Sequence, residues 1–343
     1  MTLSAAIRTG DVAQLPGKRD EDWRWTDLRG LIRVLPPASP EFAGEVGEGP
    51  FGPAELTVVN GRVRGELSAL VVPAGQARTV RLRFVSAGAG TSHGIHLAVE
   101  VADGASLTLL ESHEGRAADY LADAALTVGL AAGASLERIV LTDDDPGAVS
   151  VSTAIVTLGY GARLHQTVLA GGAKRQRIET RVNHPGHGAE VRLDGVYLLA
   201  GQRHADQTTV VTHDGVGGVT DQLTKGVVRD QARGVFQGRI VVSEGADKTD
   251  ARMGHHALIL SDRAEVDAKP ELEIYADDVA CAHGNTVGAL DEEALFYIRQ
   301  RGVPETEARA LLTEAFVGEV VERIDHAGAR EAVAAWVAAR LGG

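Results

Sequence analysis

Between residues 104 and 191 one tetrad returns four times: Gly104-Ala105-Ser106-Leu107, Gly133-Ala134-Ser135-Leu136, Gly161-Ala162-Arg163-Leu164 and Gly188-Ala189-Glu190-Val191. The glycine-to-glycine intervals are 29, 28 and 27 residues. Each tetrad joins one run of alternating apolar and polar residues to the next, with no helical period between them. A repeat of this length, made of strands and glycine turns, predicts coils stacked into a solenoid. A β-sandwich is the competitor, but it requires no constant interval. Glycine at each corner permits the backbone that the turn demands, and the small alanine beside it avoids crowding the neighbouring coil. A fifth copy near Gly217-Gly218 is degenerate.

Working outward, the period stays at two from Ala54 to about Leu290. Val80, Leu82 and Phe84 alternate with Arg81 and Arg83, and Leu97, Val99 and Val101 with Ala98 and Glu100. Leu258 and Leu260 are expected to share one face opposite Ala257 and Ile259, as are Leu272 and Ile274 opposite Glu271, Glu273 and Tyr275. Residues 36–53, PPASPEFAGEVGEGPFGP, read as a loop. Before them a short helix is expected around Thr2–Leu15, closed by Pro16-Gly17, with Trp23 and Trp25 anchoring the segment to the body. After Leu290 the pattern turns helical. Asp291 caps a helix whose first turn holds Glu292 and Glu293, and Gly302 stops it. A second helix follows Pro304 with an apolar stripe of Ala308, Leu311, Leu312, Ala315, Phe316, Val320 and Ile324. Gly328 is expected to separate a third, Glu331 to Leu341. Three helices packing on one another and capping the solenoid are the expectation from this pattern. The chain thus divides into 1–53, a helical and loop segment; 54–290, a mainly β core; and 291–343, a helical domain.

Composition narrows the function. A chain of 343 residues with 44% apolar content can bury a large core, while only 4% aromatics and 41 glycines suit short strands and turns. A formal charge of −13 argues against nucleic acid or an anionic membrane surface as partner. One cysteine excludes an internal disulfide framework and fits a reducing compartment. No signal-peptide core opens the sequence and no long apolar run occurs in it, so the expected location is cytoplasmic.

Several motifs imitate chemistry. Gly47-x-Gly49-x-x-Gly52 has dinucleotide spacing, but that fingerprint needs a strand before it and a helix after it. Gly90-Thr91-Ser92-His93-Gly94 has the nucleophile-elbow spacing of serine hydrolases, yet the next residues, Ile95 to Val101, alternate like a strand. No G-x-x-x-x-G-K-(S/T) sequence occurs, so ATP hydrolysis would have to come from a partner. Asp143-Asp144-Asp145 before Pro146 reads as an exposed turn rather than a cation site. Of the twelve histidines, His93, His96 and His113 are scattered over strands. His184 and His187 flank a turn, and His255 and His256 must face opposite ways. Cys281 and His283 differ. At i and i+2 in a strand they face the same side, and thiolate with imidazole suits iron and sulfide. Two ligands cannot hold a cluster that wants four, so such a site would have to be shared across a subunit interface.

The sequence resembles the SufB/SufD family, the scaffold subunits of Suf iron–sulfur cluster assembly. The resemblance rests on residues 229–238 (RDQARGVFQG), 264–274 (AEVDAKPELEI), 281–288 (CAHGNTVG) and 295–302 (LFYIRQRG), with 21–28 (EDWRWTDL) near the other end. It implies a right-handed parallel β-helix, a non-catalytic scaffold role, and a SufB-like paralogue paired through the edges of the two β-helices. It implies a SufC-like ATPase docked on the C-terminal helical domain. It also implies a transient iron–sulfur cluster or iron at the shared interface, with His283 at the family's histidine position and Cys281 matching a cysteine of SufD-like chains. His283-Gly284 stands where SufB-like chains carry His-Glu, which places this chain on the SufD side. A homodimer in the absence of the partner is left open. The rival readings are a purely structural subunit with no ligand role at His283, and a β-helix enzyme acting on polysaccharide, for which aromatics are scarce and no signal-peptide core is seen.

Overall fold

The computed structural model describes residues 2–65 and 69–341. Its strands, from Leu56–Val59 to Ala280–Gly288, fall alternately into two sheets, of ten and eight strands among the described residues. Among the described residues every pairing between strands is parallel except that of Leu56–Val59 with Arg62–Arg64. Each coil contributes one strand to each sheet, which is the expected β-solenoid.

The tetrads are its corners. Leu107, Leu136, Leu164 and Val191 stack in register from coil to coil, and Ala105, Ala134, Ala162 and Ala189 are fully buried beside them. The four glycines have φ of 62, 64, 64 and 74°. A Cβ at any of them would meet open space, so the left-handed backbone, not crowding, selects glycine. The degenerate copy belongs to the same file, because Gly217 has φ 72° and Thr220 pairs with Val191. Two further corners carry no tetrad: Gly75, with φ 67°, and Lys248, with φ 63°.

Val80, Leu82, Phe84, Leu97, Val99 and Val101 point into the core as the alternation requires. In the strand Asp250–Ile259, Leu258 does stand opposite Ala257 and Ile259, with Leu260 just beyond it, but the face of the leucines is the outer one. Ala251, Met253, His255 and Ala257 are buried inside, while Leu258 is half-buried on the outer face and Leu260 packs with the helical layer. Its inner face holds the polar His255 and its outer face the apolar Leu258, so apolarity alone does not identify the inner one.

The outer faces of the two sheets carry different covers. Helix α1 (Leu3–Thr9) is capped by Thr2 and ends at Gly10, φ 70°, rather than reaching Pro16; a 3-10 turn, Val12–Gln14, comes next. With α2 (Leu28–Leu31) it lays Leu3, Ala6, Leu15 and Leu28 on Leu121, Val149 and Val151 of the eight-stranded sheet. Trp23 stacks on the buried Arg177 guanidinium at 4.4 Å, and the Thr26 hydroxyl donates to Asp206 at 2.5 Å. Trp23 thus anchors the segment as expected, whereas Trp25 contributes its backbone carbonyl, which accepts from His204. At the other end of the chain lie α3 (Glu292–Arg299), α4 (Glu305–Val321) and α5 (Ala327–Leu341). Asp291 caps α3 through the amides of Glu293 and Ala294. Gly328 lies inside the first turn of α5 instead of preceding it.

Helices α4 and α5 do not cap the end of the solenoid. Val317, Val320, Ile324, Val333 and Trp336 pack on Leu110, Ile139, Leu141, Leu169, Val196, Leu198, Leu223 and Val227 of the ten-stranded sheet's outer face. That sheet is apolar on both sides, and the helical stripe must bury it. Leu311 of the expected stripe stays 46% exposed, because the buried stripe runs through Val317 and Val321 instead. The last coil, Glu265–Ile274 and Ala280–Gly288, is therefore left uncovered, and both strands are sheet edges.

Candidate metal site at the open end of the solenoid

Cys281 and His283 lie on the uncovered edge strand Ala280–Gly288. In parallel register Cys281 faces Ala251, His283 faces Met253, Asn285 faces His255 and Val287 faces Ala257. Those four partners point into the core. Cys281, His283, Asn285 and Val287 accordingly continue the core-facing side across the mouth, where no further coil covers them. The i, i+2 placement expected from sequence is realised by this register.

The two candidate ligands differ in setting. His283 is exposed. Cys281 is half-buried against a cluster containing Phe236, Ile240, Ala251 and Met253. Burial pushes its thiol above the usual range and nearby Asp250 adds to this, against a lowering hydrogen bond at the Ala251 backbone. The thiol is thus held protonated. Among the described residues no three His, Cys, Asp or Glu side chains cluster to hold a metal. His283 and Cys281 supply at most part of a site, so a metal bound there needs ligands from elsewhere.

A third group at the mouth carries no Cys/His signal. The Asn285 amide oxygen meets His255 Nδ1 at 2.7 Å, and His255 Nε2 meets the Tyr197 hydroxyl at 2.9 Å. The available sequence signal was the spacing itself, Cys281-x-His283-x-Asn285, three polar residues on one strand face.

The imitating motifs resolve into structure. Ser92 is buried and donates to the Pro36 carbonyl, while His93 bonds Ser86 and Ser39 through its two nitrogens. The segment is strand, not elbow. Gly47 to Gly52 lie in a loop tied to Arg83 and Arg81 through the Gly47 and Phe51 carbonyls, and a strand comes after it. The three aspartates part company: Asp143 pairs with Arg340, Asp144 accepts from Tyr120, Ser150 and Gln176, and Asp145 accepts from the Gly147 and Asp119 amides. His113 bonds Glu111, His96 bonds Thr127, and His184 stacks on His213 at 4.3 Å. His187 lies against Tyr160, and His256 bonds Thr286 on the opposite face from His255. No described helix is long and apolar enough to cross a membrane.

Comparison with known proteins bears on the whole chain. The family model described as SUF system FeS cluster assembly, SufBD core domain, matches residues 84–316. Iron-sulfur cluster assembly protein SufD of Escherichia coli is 29% identical over 99% of this chain and 92% of its own length. A SufBD family protein of Mycobacterium leprae is 28% identical over 92% of this chain and 87% of its own. SufD of Bacillus subtilis is 32% identical, over 45% of this chain and 35% of its own. The solenoid, the helical layer on its flank and these matches agree: the chain belongs to the SufB/SufD family of Suf-system iron–sulfur cluster assembly proteins, on its SufD side.

Proposed function

We propose that this chain is a non-catalytic scaffold subunit that pairs with a SufB-like subunit through its last coil, in the cytoplasm. The observation that carries the reading is the mouth itself. Two unpaired strand edges, ten and nine residues long, end the solenoid with Cys281 and His283 on the exposed, core-facing side. Unpaired edges of this length invite continuation of both sheets by another chain. A partner docked there would bring its own side chains opposite His283 and complete a ligand set that this chain leaves short. The nascent cluster, or iron, is cargo in this reading. His283 is the candidate ligand or iron-entry group, and Cys281 is a second candidate whose proton must first leave.

A SufC-like ATPase is assigned to the helical layer. Phe296 and Tyr297 of α3 are 63% and 60% exposed, and only Leu295 of that helix is buried. Beside them, at the turn into α4, lies a concavity of about 370 Å³ lined by Phe296, Arg299, Gln300, Gly302, Val303, Pro304 and Glu305. Exposed aromatics beside a concavity are the usual anatomy of a docking site.

The test is anaerobic. The chain is co-expressed with the SufB-like and SufC-like proteins of its own organism, and iron and acid-labile sulfide are measured in the purified complex for wild type and His283→Ala. Loss of cluster from an assembled His283→Ala complex supports the shared site. A full cluster in that variant would make this chain a structural half only, with the chemistry on its partner.

A further inference from the structure

A polar chain runs from the core to the mouth. Tyr197 and His255 are fully buried, yet they belong to strands two coils apart, with the strand Val219–Val228 between them. Gly226 pairs with both Tyr197 and Ala257 in register. A Cβ at Gly226 would lie 1.9 Å from the Tyr197 ring, and one at Gly234 2.4 Å from it. The two glycines leave the slot through which the tyrosine ring crosses a whole coil to reach His255. The His255 ring is held flat against Phe236, 4.6 Å away at an interplanar angle of 4°, with the Tyr197 ring 5.9 Å away and its hydroxyl at the Nε2 edge. Burial first, and the neighbouring His256 charge, depress its imidazole to about 4 against the Asn285 hydrogen bond, so it is neutral.

A neutral imidazole has one donor and one acceptor nitrogen. If Nε2 carried the proton, the Tyr197 hydroxyl would become a buried donor with no acceptor, at full desolvation cost. The arrangement that satisfies every buried group has Tyr197 donating to Nε2 and Nδ1–H donating to the Asn285 oxygen. The Asn285 oxygen is then turned inward and its two amide N–H groups face the mouth. His283, two residues back along the same strand face, lies about 6–7 Å away by strand rise.

We propose that Asn285 is an aimed hydrogen-bond donor to the anionic sulfur of the group held at His283, fixed in that orientation by Tyr197 and His255. This rests on the shared-site reading and adds a non-ligand residue to it. N–H donors to sulfide or thiolate are among the means by which a protein tunes such centres. Asn285 is a positioning residue here, not a metal ligand.

Two measurements test it. In the isolated chain, ¹⁵N NMR is expected to find His255 with Nδ1 protonated and Nε2 bare. The opposite tautomer overturns the aiming, whatever the fate of the cluster. In the anaerobic ternary complex, ferrous iron with sulfide is the probe. Asn285→Ala is expected to weaken iron retention by about tenfold, the scale of outer-shell losses. Asn285→Asp, which puts an acceptor charge where a donor stood, is expected to weaken it further, and Tyr197→Phe to weaken it less, all with the cluster absorption shifted. A merely structural asparagine would not rank Asp below Ala. If both Asn285 variants keep wild-type iron and spectrum while His283→Ala loses its cluster, the donor role is wrong and the shared site stands. If His283→Ala keeps its cluster, both readings go.

Discussion

The α3 aromatics offer a quantitative test of ATPase docking. An aromatic side chain offers about 200 Å² for burial; at 63% and 60% exposure, Phe296 and Tyr297 each keep roughly 120 Å² in water. Covering that area at about 25 cal/mol/Å² is worth about 3 kcal/mol per ring. Ordering the side chain costs back about 1 kcal/mol. Phe296→Ser or Tyr297→Ser should therefore weaken ATPase binding by about 2 kcal/mol, roughly thirtyfold, and the two rings are close enough that their losses need not add. Neither ring is buried in the fold, so the unfolding midpoint should move by no more than a degree or two. Calorimetric titration of the SufC-like protein into wild type and each variant, with denaturation curves alongside, reads both quantities. An affinity within threefold of wild type in the two variants, with α3 still formed, would refute docking on this face.

Three further outcomes come from the same packing. Gly226→Ala drives a methyl into the Tyr197 ring, which the neighbouring coils hold in place, and should cost at least about 2 kcal/mol in urea denaturation; a loss under about 0.5 kcal/mol would mean the ring is free to move. Between about pH 5 and pH 6 the buried His93, His204, His213 and His255, depressed to about 4, 4, 3 and 4, bind protons only when unfolded. Buried Asp123 and Asp194, raised to about 6 and about 7, bind them only when folded. Four against two leaves the unfolded state with about two extra protons, so stability should rise with pH by about 2.7 kcal/mol per unit there, and a flat or falling profile would contradict the burial of these imidazoles. Asp123 is held mainly by burial, with the Ser4 hydroxyl opposing; Asp123→Asn should stabilise the protein by about 1–3 kcal/mol at pH 8 and not at pH 4, and equal effects at the two pH values would remove the buried charge as the cause.

Much of this architecture was legible because the solenoid writes itself periodically. A left-handed corner admits few residues other than glycine, and stacking repeats the demand in every coil, so Gly104, Gly133, Gly161 and Gly188 announce it. The file fades where Lys248 takes the same φ with a side chain, because that corner is exposed and only backbone strain opposes it. The inner face of Asp250–Ile259 was not legible, since polar His255 stands inward there while apolar Leu258 stands outward. The position of that layer was not legible either: a helical stripe states that something is covered, not which surface. At the mouth, Cys281 and His283 were found by ligand chemistry. Asn285 was missed because its meaning lies in Tyr197 and His255, 88 and 30 residues away in sequence, joined to it only by the register of the coils.

The flank position of the helices also changes which experiment can locate a partner. Deleting residues 291–341 is the obvious test of ATPase docking. It would also uncover Leu110, Ile139, Leu141, Leu169, Val196, Leu198, Leu223 and Val227 together, eight large side chains on one sheet face, more contiguous apolar surface than soluble chains tolerate. The truncated chain is expected to self-associate and bind a hydrophobic dye, so its failure to bind an ATPase would not separate a lost docking site from a lost fold. A truncated chain that stays monomeric and dye-silent would show that the roof is dispensable. Substitutions confined to α3 avoid the difficulty, because that helix contributes Leu295 to the interior and its aromatics to solvent. The two partner surfaces then use different groups: strand edges at the mouth can be extended by one chain while the exposed aromatics of α3 are held by another. A substitution at Phe296 should then leave SufB-like pairing intact, and one at His283 should leave ATPase binding intact; crossed effects would show that α3 is coupled to the mouth strand Ala280–Gly288, from which only residues 289–291 separate it.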